Sequence, residues 1–476
     1  MISQDILAMN KSDFKSILNN LFITKKNDLF IIDSIENRRY SYGEFLNLAS
    51  NICDILSSKK VQANDSICYL CENSIYSLAT YFACLLLRIL VIPIDCNKGE
   101  IETKEIIDIV QPKLILTNFT IKNELKDSDL PPAFDNIQFD KPYLATFTSG
   151  TTGKSKGVIH SLNDLLMSAV SFGYKFKFSE ANVFFHNFPM AYMAGILNLF
   201  FLPMIHGSKI VIAPRQSTVK AITFWNDAVK YEANTFWFNP TFLSILLKLD
   251  RGKVGIEYAK QNNLIACVGT APLSIELKTN FENKYSIPLF ESYGLTETLF
   301  LTTNYPESNT IGSVGEELDG VKILIGQDGE IIAQTPWTVR KYIGLGNHSE
   351  DYFNTGDYGK FSGKTLFITG RKKDIIIKGG VNISPQKIES IINVFFDEVV
   401  IIGLLDNILG EKIACFFVSD SFNETKKKEI NAKIITDLGK EYTIDYFMQL
   451  PEIPKNINLK IDKLALKKLA KNDTKN

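Results

Sequence analysis

Thr148-Ser-Gly-Thr-Thr-Gly-Lys-Ser-Lys-Gly157 packs hydroxyls, glycines and two lysines into one short stretch, directly after the strand-like run Tyr143-Leu-Ala-Thr-Phe147. Such a loop can turn backbone N–H groups and hydroxyls toward an anion while lysine supplies charge, which is the chemistry of phosphate binding. Taken singly, a Gly-rich turn is also ordinary loop punctuation. Gly153-Lys154-Ser155 fits the end of a Walker A loop, but the first glycine of that motif would fall on Thr148, so the match fails. Helical periodicity is read from Val158 onward.

Further segments carry polar groups at similar transitions. Gly269-Thr-Ala-Pro272 follows a strand-like run and precedes a helical one, and Glu291-Ser-Tyr-Gly-Leu-Thr-Glu297 follows Pro288-Leu-Phe290. Read singly, Tyr293-Gly294 is a turn aromatic and Glu297 a helix-start carboxylate. Asn354-Thr-Gly-Asp357 places a carboxylate after a tight turn, where it suits a pair of ribose hydroxyls or simply stabilises the turn. Gly370-Arg-Lys-Lys-Asp-Ile-Ile-Ile-Lys-Gly-Gly-Val-Asn-Ile-Ser-Pro-Gln-Lys-Ile-Glu389 and Leu450-Pro-Glu-Ile-Pro-Lys-Asn-Ile-Asn-Leu-Lys-Ile-Asp-Lys463 complete the set. In this order the segments closely resemble the signatures of the adenylate-forming superfamily, which includes acyl-CoA synthetases, peptide-synthetase adenylation domains and luciferases. The resemblance runs from Tyr40 to Leu466, with two departures: Ser155 stands where the family has Pro, and Leu459 where it has Gly.

The resemblance implies a role for each segment. Thr148, Ser149, Gly150, Thr151, Thr152, Gly153, Lys154 and Lys156 would cradle the phosphates of ATP. Gly269, Thr270, Ala271 and Pro272 would hold adenine against Ser292, Tyr293 and Gly294, with the ring of Tyr293 as its wall. Thr296 would touch the α-phosphate, and Glu297 would bind Mg2+, a hard cation that prefers carboxylate and phosphate oxygens. Asp357 would bind ribose and Arg371 ribose or phosphate. Lys373 would be the hinge, and Gly379 and Gly380 the passage for a pantetheine arm, where absent side chains leave room. Lys460 would bridge the substrate carboxylate and the α-phosphate as charge develops, making it the catalytic residue alongside Thr296 and Glu297. Lys455 and Lys463 lie nearby, and a Lys-rich tail also reads as solvated surface.

The acyl site is marked more faintly. Pro189-Met-Ala-Tyr-Met-Ala-Gly195 puts Tyr192 where many acyl-CoA synthetases carry histidine; with Gly195 it lines a pocket or is an ordinary half-buried aromatic. Phe238 and Asn239, in Phe236-Trp-Phe-Asn-Pro240, suit the wall of an apolar site and equally a packed core. Amino-acid-activating members of the family that the chain resembles generally pair the substrate ammonium with an aspartate in this region; no acidic residue falls between His186 and Ile212, so the resemblance disfavours an α-amino acid.

The elements that must position these residues alternate. Apolar runs Asp65 to Cys71, Ile89 to Ile94 and Lys113 to Thr117 are separated by helical stretches, and the pattern returns at Lys209 to Ala213, Thr235 to Phe238 and Leu264 to Gly269. Such alternation predicts α/β architecture with parallel sheets. Asp127 to Lys141, with Pro131-Pro132, reads as a loop. After Gly370, short strands and a charged helix predict a small mobile α+β C-terminal domain, 371–476, beside a large multi-subdomain N-terminal region, 1–370, with the site between them.

Composition supports this reading. A chain of 476 residues with 45% apolar content exceeds one core, and a net charge of -1 gives no basic field for nucleic acid. No apolar run is long enough to span a membrane, and the N-terminal residues lack a secretory leader, so the expected compartment is the cytoplasm. Seven scattered cysteines are not a disulfide framework, and Cys68 and Cys71 read as core thiols. The expected function is activation of a small carboxylic acid by MgATP to an acyl-AMP, followed by transfer to CoA or a phosphopantetheinyl carrier protein. The alternatives are amino-acid adenylation and a nucleotide- or acyl-binding relative without turnover.

Overall fold

The computed structural model describes residues 9, 11–125, 134–149, 155–344, 346–347, 350–406, 408–419, 421–456 and 459–473, without the side chains of 135, 148, 149, 155 and 347. Pro131-Pro132 and Gly150, Thr151, Thr152, Gly153 and Lys154 of the phosphate loop lie outside the described residues. The chain parts into two compact units, Met1–Ile323 with Ala333–Phe353, and Leu324–Ile332 with Asn354–Asn476. The hairpin Phe353–Ser362 and Thr365–Arg371 therefore falls almost wholly in the second unit, upstream of the composition change after Gly370.

The first unit holds two sheets. In one, Leu114–Thr117, Ser66–Cys71, Leu90–Asp95 and Pro142–Ser149 run parallel in that spatial order. Helices Ile75–Leu87 and Glu100–Val110 supply the crossovers that parallel pairing requires. In the other, Lys209–Ile212, Val183–His186, Thr235–Phe238, Ile265–Val268 and Leu289–Leu295 are parallel neighbours, with Leu299–Thr303 antiparallel beyond them. Local chemistry sets the helix starts: Ser74, Ser217 and Ser274 each accept a backbone N–H at an N-cap. One core of Phe, Ile and Leu side chains runs through the unit, including Phe22, Phe82, Phe172, Phe200 and Trp237. Most of Tyr81 to Ile94 and of Ala191 to Ile205 is buried, with Ile92 and Ile94 in a second cluster and Arg88 exposed, and among the described residues no helix is long and apolar enough to cross a membrane.

The second unit is α+β. Its sheet runs Val381–Ile383, Ile376–Lys378, Gly410–Val418 and Glu398–Asp406, with Tyr446–Gln449 parallel to Gly410–Val418. Alternation along Gly410–Val418 feeds two cores, as a period of two dictates. Ile413, Cys415 and Phe417 face helices Pro385–Ile392 and Glu424–Asp437, while Ala414 and Phe416 face helix Lys463–Asp473.

All cysteines are unpaired, and all but Cys96 are buried. Burial pushes the thiols of Cys68 and Cys71 up to about 12, so neither is a nucleophile near neutral pH.

Candidate active site

Two paired strands flank the phosphate loop. Pro142–Ser149 and Ser155–Ser161 pair antiparallel, Thr148 opposite Lys156 and Ser149 opposite Ser155. The helix expected from Val158 begins instead at Leu162, where Ser161 and Asp164 form a capping box. Val158, Ile159 and His160 are all buried, and an apolar run covered on both faces has no period to distinguish strand from helix. The segment that follows the phosphate loop is thus a strand, Ser155–Ser161, and not a helix N-terminus.

Thr296 and Glu297 occupy the turn between the antiparallel strands Leu289–Leu295 and Leu299–Thr303, so Glu297 is not a helix-start carboxylate. Two contacts fix this turn. His160 Nε2 lies 2.6 Å from the Thr296 carbonyl oxygen, and Val339 N–H donates to the Glu297 carbonyl at 2.7 Å. Burial pushes the His160 imidazole down and keeps it neutral; facing a carbonyl, Nε2 carries the proton. Gly269–Pro272 and Ser292–Gly294 are brought together because Val268 and Glu291 are paired on adjacent parallel strands, with Ser292 Oγ donating to the Val268 carbonyl at 3.3 Å. Tyr293 is buried at this point.

Glu291, which opens the Tyr293 segment, is buried near the equally buried Lys278, whose ammonium donates to the Leu289 carbonyl at 2.7 Å and to Asn309 Oδ1 at 2.9 Å. Burial pushes Glu291 up to about 7 although Lys278 opposes it. A carboxyl raised in the folded state contributes stability that is complete below its ordinary value near 4.5 and is lost as pH rises through 7. Glu291→Gln keeps the neutral form at every pH. The stability difference between the parent and this variant is therefore expected to shift by up to about 3 kcal/mol against the parent from pH 4.5 to above 7, as read by denaturant melts across that range.

In the second unit Asp357 lies within the strand Phe353–Ser362 and not after a tight turn; Gly356, just before it, stands at φ +72°. Arg371 sits opposite on the neighbouring strand, with Nε 2.8 Å from Asp357 Oδ1. The carboxylate is buried and the guanidinium partly exposed, so the two ribose candidates are mutually oriented. Lys373 is exposed in the short turn Lys372–Asp374. Gly379 and Gly380, at φ +58° and +83°, form the two-residue turn of the hairpin Ile376–Lys378 and Val381–Ile383; both central residues have positive φ, which glycine alone adopts freely.

Lys460 is half-buried and framed by Asn456, whose Oδ1 accepts the Lys460 N–H at 3.1 Å and whose N–H donates to the Lys460 carbonyl at 2.8 Å. The preceding Leu459 stands at φ +59°. That left-handed conformation costs a branched side chain about 1–2 kcal/mol, and it explains physically why glycine is the residue expected there. Leu459→Gly is expected to leave the thermal midpoint unchanged or raised, against the loss usual for Leu to Gly. A clear fall in calorimetric midpoint would contradict this.

The segment Pro189 to Gly195 is fastened by side chains that no motif contains. Asn73 donates to the Phe188 carbonyl at 2.8 Å and accepts the Met190 N–H at 3.1 Å, and Tyr81 donates to the Met190 carbonyl at 2.7 Å. Arg215, paired with both oxygens of Asp95 at 2.7 and 2.8 Å, donates to Asn73 Oδ1 at 3.2 Å. Tyr192 is half-buried, whereas Phe238 lies wholly in an aromatic cluster with Phe224, Phe242 and Phe281. Asn239 caps the helix Pro240–Leu249 and donates to Gln216 at 2.6 Å. Gly195 lies in the first turn of the buried helical segment Ala194–Phe201, close against the Pro189 carbonyl.

The family model described as AMP-binding enzyme matches residues 24–343. The chain belongs to that family. Among the AMP-binding enzymes it is similar to a sulfoacetate–CoA ligase of Cupriavidus necator, 27% identical over 71% of this chain and 68% of the relative. It is also similar to a 2-succinylbenzoate–CoA ligase of Bacillus subtilis, 24% identical over 92% and 95%. The fold is that of ATP-bound MatB from Rhodopseudomonas palustris, with a TM-score of 0.85 and 21% identity, covering 96% of this chain and 99% of the other. Among the described residues no three His, Cys, Asp or Glu side chains are gathered to hold a metal ion. Mg2+ keeps several waters and is commonly bound through one or two carboxylates and substrate phosphates, and a carboxylate on an interstrand turn, Glu297, fits that donor set.

Proposed function

We propose that this AMP-binding enzyme is an AMP-forming acid–thiol ligase of the cytoplasm that activates a small carboxylic acid and passes the acyl group to CoA. The observation that carries the reading is the pairing of Asp357 with Arg371 on adjacent strands, in the same chain as the paired strands that flank the phosphate loop and the fixed Thr296–Glu297 turn. The named relatives are CoA ligases, which supports CoA over a carrier protein as acceptor.

In the first half-reaction a carboxylate oxygen bonds to the α-phosphorus and the bond to the pyrophosphate leaving group breaks. Glu297 would hold Mg2+, which when bound would supply neutralisation of phosphate charge. The loop from Thr148 to Lys156 and Thr296 bind the phosphate oxygens, Asp357 and Arg371 fix the ribose, and Lys460 stabilises the charge that builds on the reacting oxygens. In the second half-reaction the thiol gives up its proton, its sulfur bonds to the acyl carbon, and the bond from that carbon to the phosphate oxygen breaks as AMP departs. Lys373 serves as hinge, and Gly379-Gly380 leaves the pantetheine arm unobstructed.

The acceptor is tested by incubating the enzyme with ATP, Mg2+, a mixture of short, aromatic and hydroxylated acids, and either CoA or holo-acyl carrier protein. Mass spectrometry is expected to find an acyl-CoA. Acylation of the carrier protein alone would replace CoA in the proposal.

A further inference from the structure

Thr296 and Glu297 are held by a residue that lies outside every motif. His160, one of four histidines, follows the phosphate loop on the strand Ser155–Ser161, opposite Leu144 of the neighbouring strand, and its ring is fully buried. Its Nε2 reaches the Thr296 carbonyl, 136 residues away, at 2.6 Å.

We propose that His160 is a positioning residue for nucleotide binding, locking the Thr296–Glu297 turn to the return strand of the phosphate loop through its hydrogen bond to the Thr296 carbonyl. This rests on the reading of Thr296 and Glu297 as ligands of the α-phosphate and Mg2+.

Two observations separate this role from packing. First, Nδ1 of His160 is buried and has no hydrogen-bond partner among the described residues. A leucine would fill the same space and leave no bare acceptor in the interior, so the imidazole is disfavoured at this position unless its other nitrogen does something a hydrocarbon cannot. Secondly, the bond acts jointly with that from Val339 N–H to the Glu297 carbonyl at 2.7 Å. Consecutive carbonyls are then each tied from outside the turn, which fixes the two peptide planes that flank the Glu297 Cα, and hence the direction in which the Glu297 side chain leaves the backbone, and one of the two planes that flank Thr296. His160 thereby joins the element expected to cradle phosphates to the one expected to hold the α-phosphate and its metal. A loop and a turn that bind the same polyphosphate must keep their spacing to ångström precision, and a strand-borne side chain serves this better than a loop contact.

The test compares His160→Gln, His160→Asn and His160→Leu in the full-length chain by titration calorimetry with MgATP. The glutamine amide nitrogen takes the place of Nε2 and retains the donor; the asparagine amide is polar and compact but falls short. His160→Gln is expected to bind within about twofold of the parent, and His160→Asn and His160→Leu about tenfold more weakly, the usual worth of one net hydrogen bond. If His160→Leu does not fold, the Gln and Asn pair decides. Thermal midpoints without nucleotide show what is structural: a packing role would lower them without separating Gln from Asn in affinity. Equal MgATP affinity of the Gln and Asn variants, with the parent binding, would overturn the inference and leave the proposed function standing. No MgATP binding by the parent would overturn both.

Discussion

Lys460→Ala is expected to cut acyl-AMP formation by about a hundred- to a thousandfold, the range seen when one preorganised electrostatic contact to a transition state is removed. The effect belongs to the chemical step. Lys460 would meet charge that develops only as the carboxylate reaches the α-phosphorus, so MgATP affinity should change little, and thioester formation from supplied acyl-AMP and CoA should survive. Lys455 and Lys463 are the internal controls. Lys455 is bound to Glu398 at 2.9 Å and Lys463 to Asp374 at 2.8 Å, so each already has a structural partner, and their alanine variants should retain adenylation. Single-turnover hydroxamate formation reads all three. Loss of activity in Lys455→Ala with activity kept in Lys460→Ala would move the catalytic role to Lys455.

The second large effect is expected at Asp357. A carboxylate that accepts two ribose hydroxyls supplies charge-assisted hydrogen bonds whose joint loss is worth about 3 kcal/mol, or about a hundredfold in ATP affinity. Asp357→Ala should show that weakening by calorimetry. Its stability should fall only modestly, because the Arg371 guanidinium left behind is partly exposed and water can take over its solvation. Asp357→Asn keeps one acceptor and should fall between parent and alanine. A variant that loses stability and not ATP affinity would make Asp357 a structural partner of Arg371.

Where the sequence was legible, short-range chemistry was responsible. Thr235–Phe238 is a strand at the residues read for it, and the serines before Ile75, Thr218 and Ile275 cap helices as their type suggests. Motif order led to the family because its signatures are local. What could not be read depends on long-range packing. Val158 to His160 passes for a helix until the sheet that buries both its faces is known. Thr-Gly-Asp357 reads as a turn until Arg371 pairs across from it. The fastening of Met190 by Asn73 joins residues 117 apart, and the contact of His160 with Thr296 joins residues still farther apart; no spacing rule spans such distances. Leu459 shows the converse: its departure from glycine is plain in the sequence, but only the positive φ tells what the departure costs.

The central claim, that this chain makes acyl-AMP, is tested most directly by acid-dependent pyrophosphate release from MgATP, with hydroxylamine present to trap the adenylate. The panel should span short, medium-chain, aromatic, hydroxylated and amino acids. Release is expected with at least one non-amino acid, with a matching hydroxamate in equal amount and none without acid. Pyrophosphate release that ignores the acid, or silence across the panel from a protein that binds MgATP, would contradict the claim and favour a relative that holds nucleotide without turning it over.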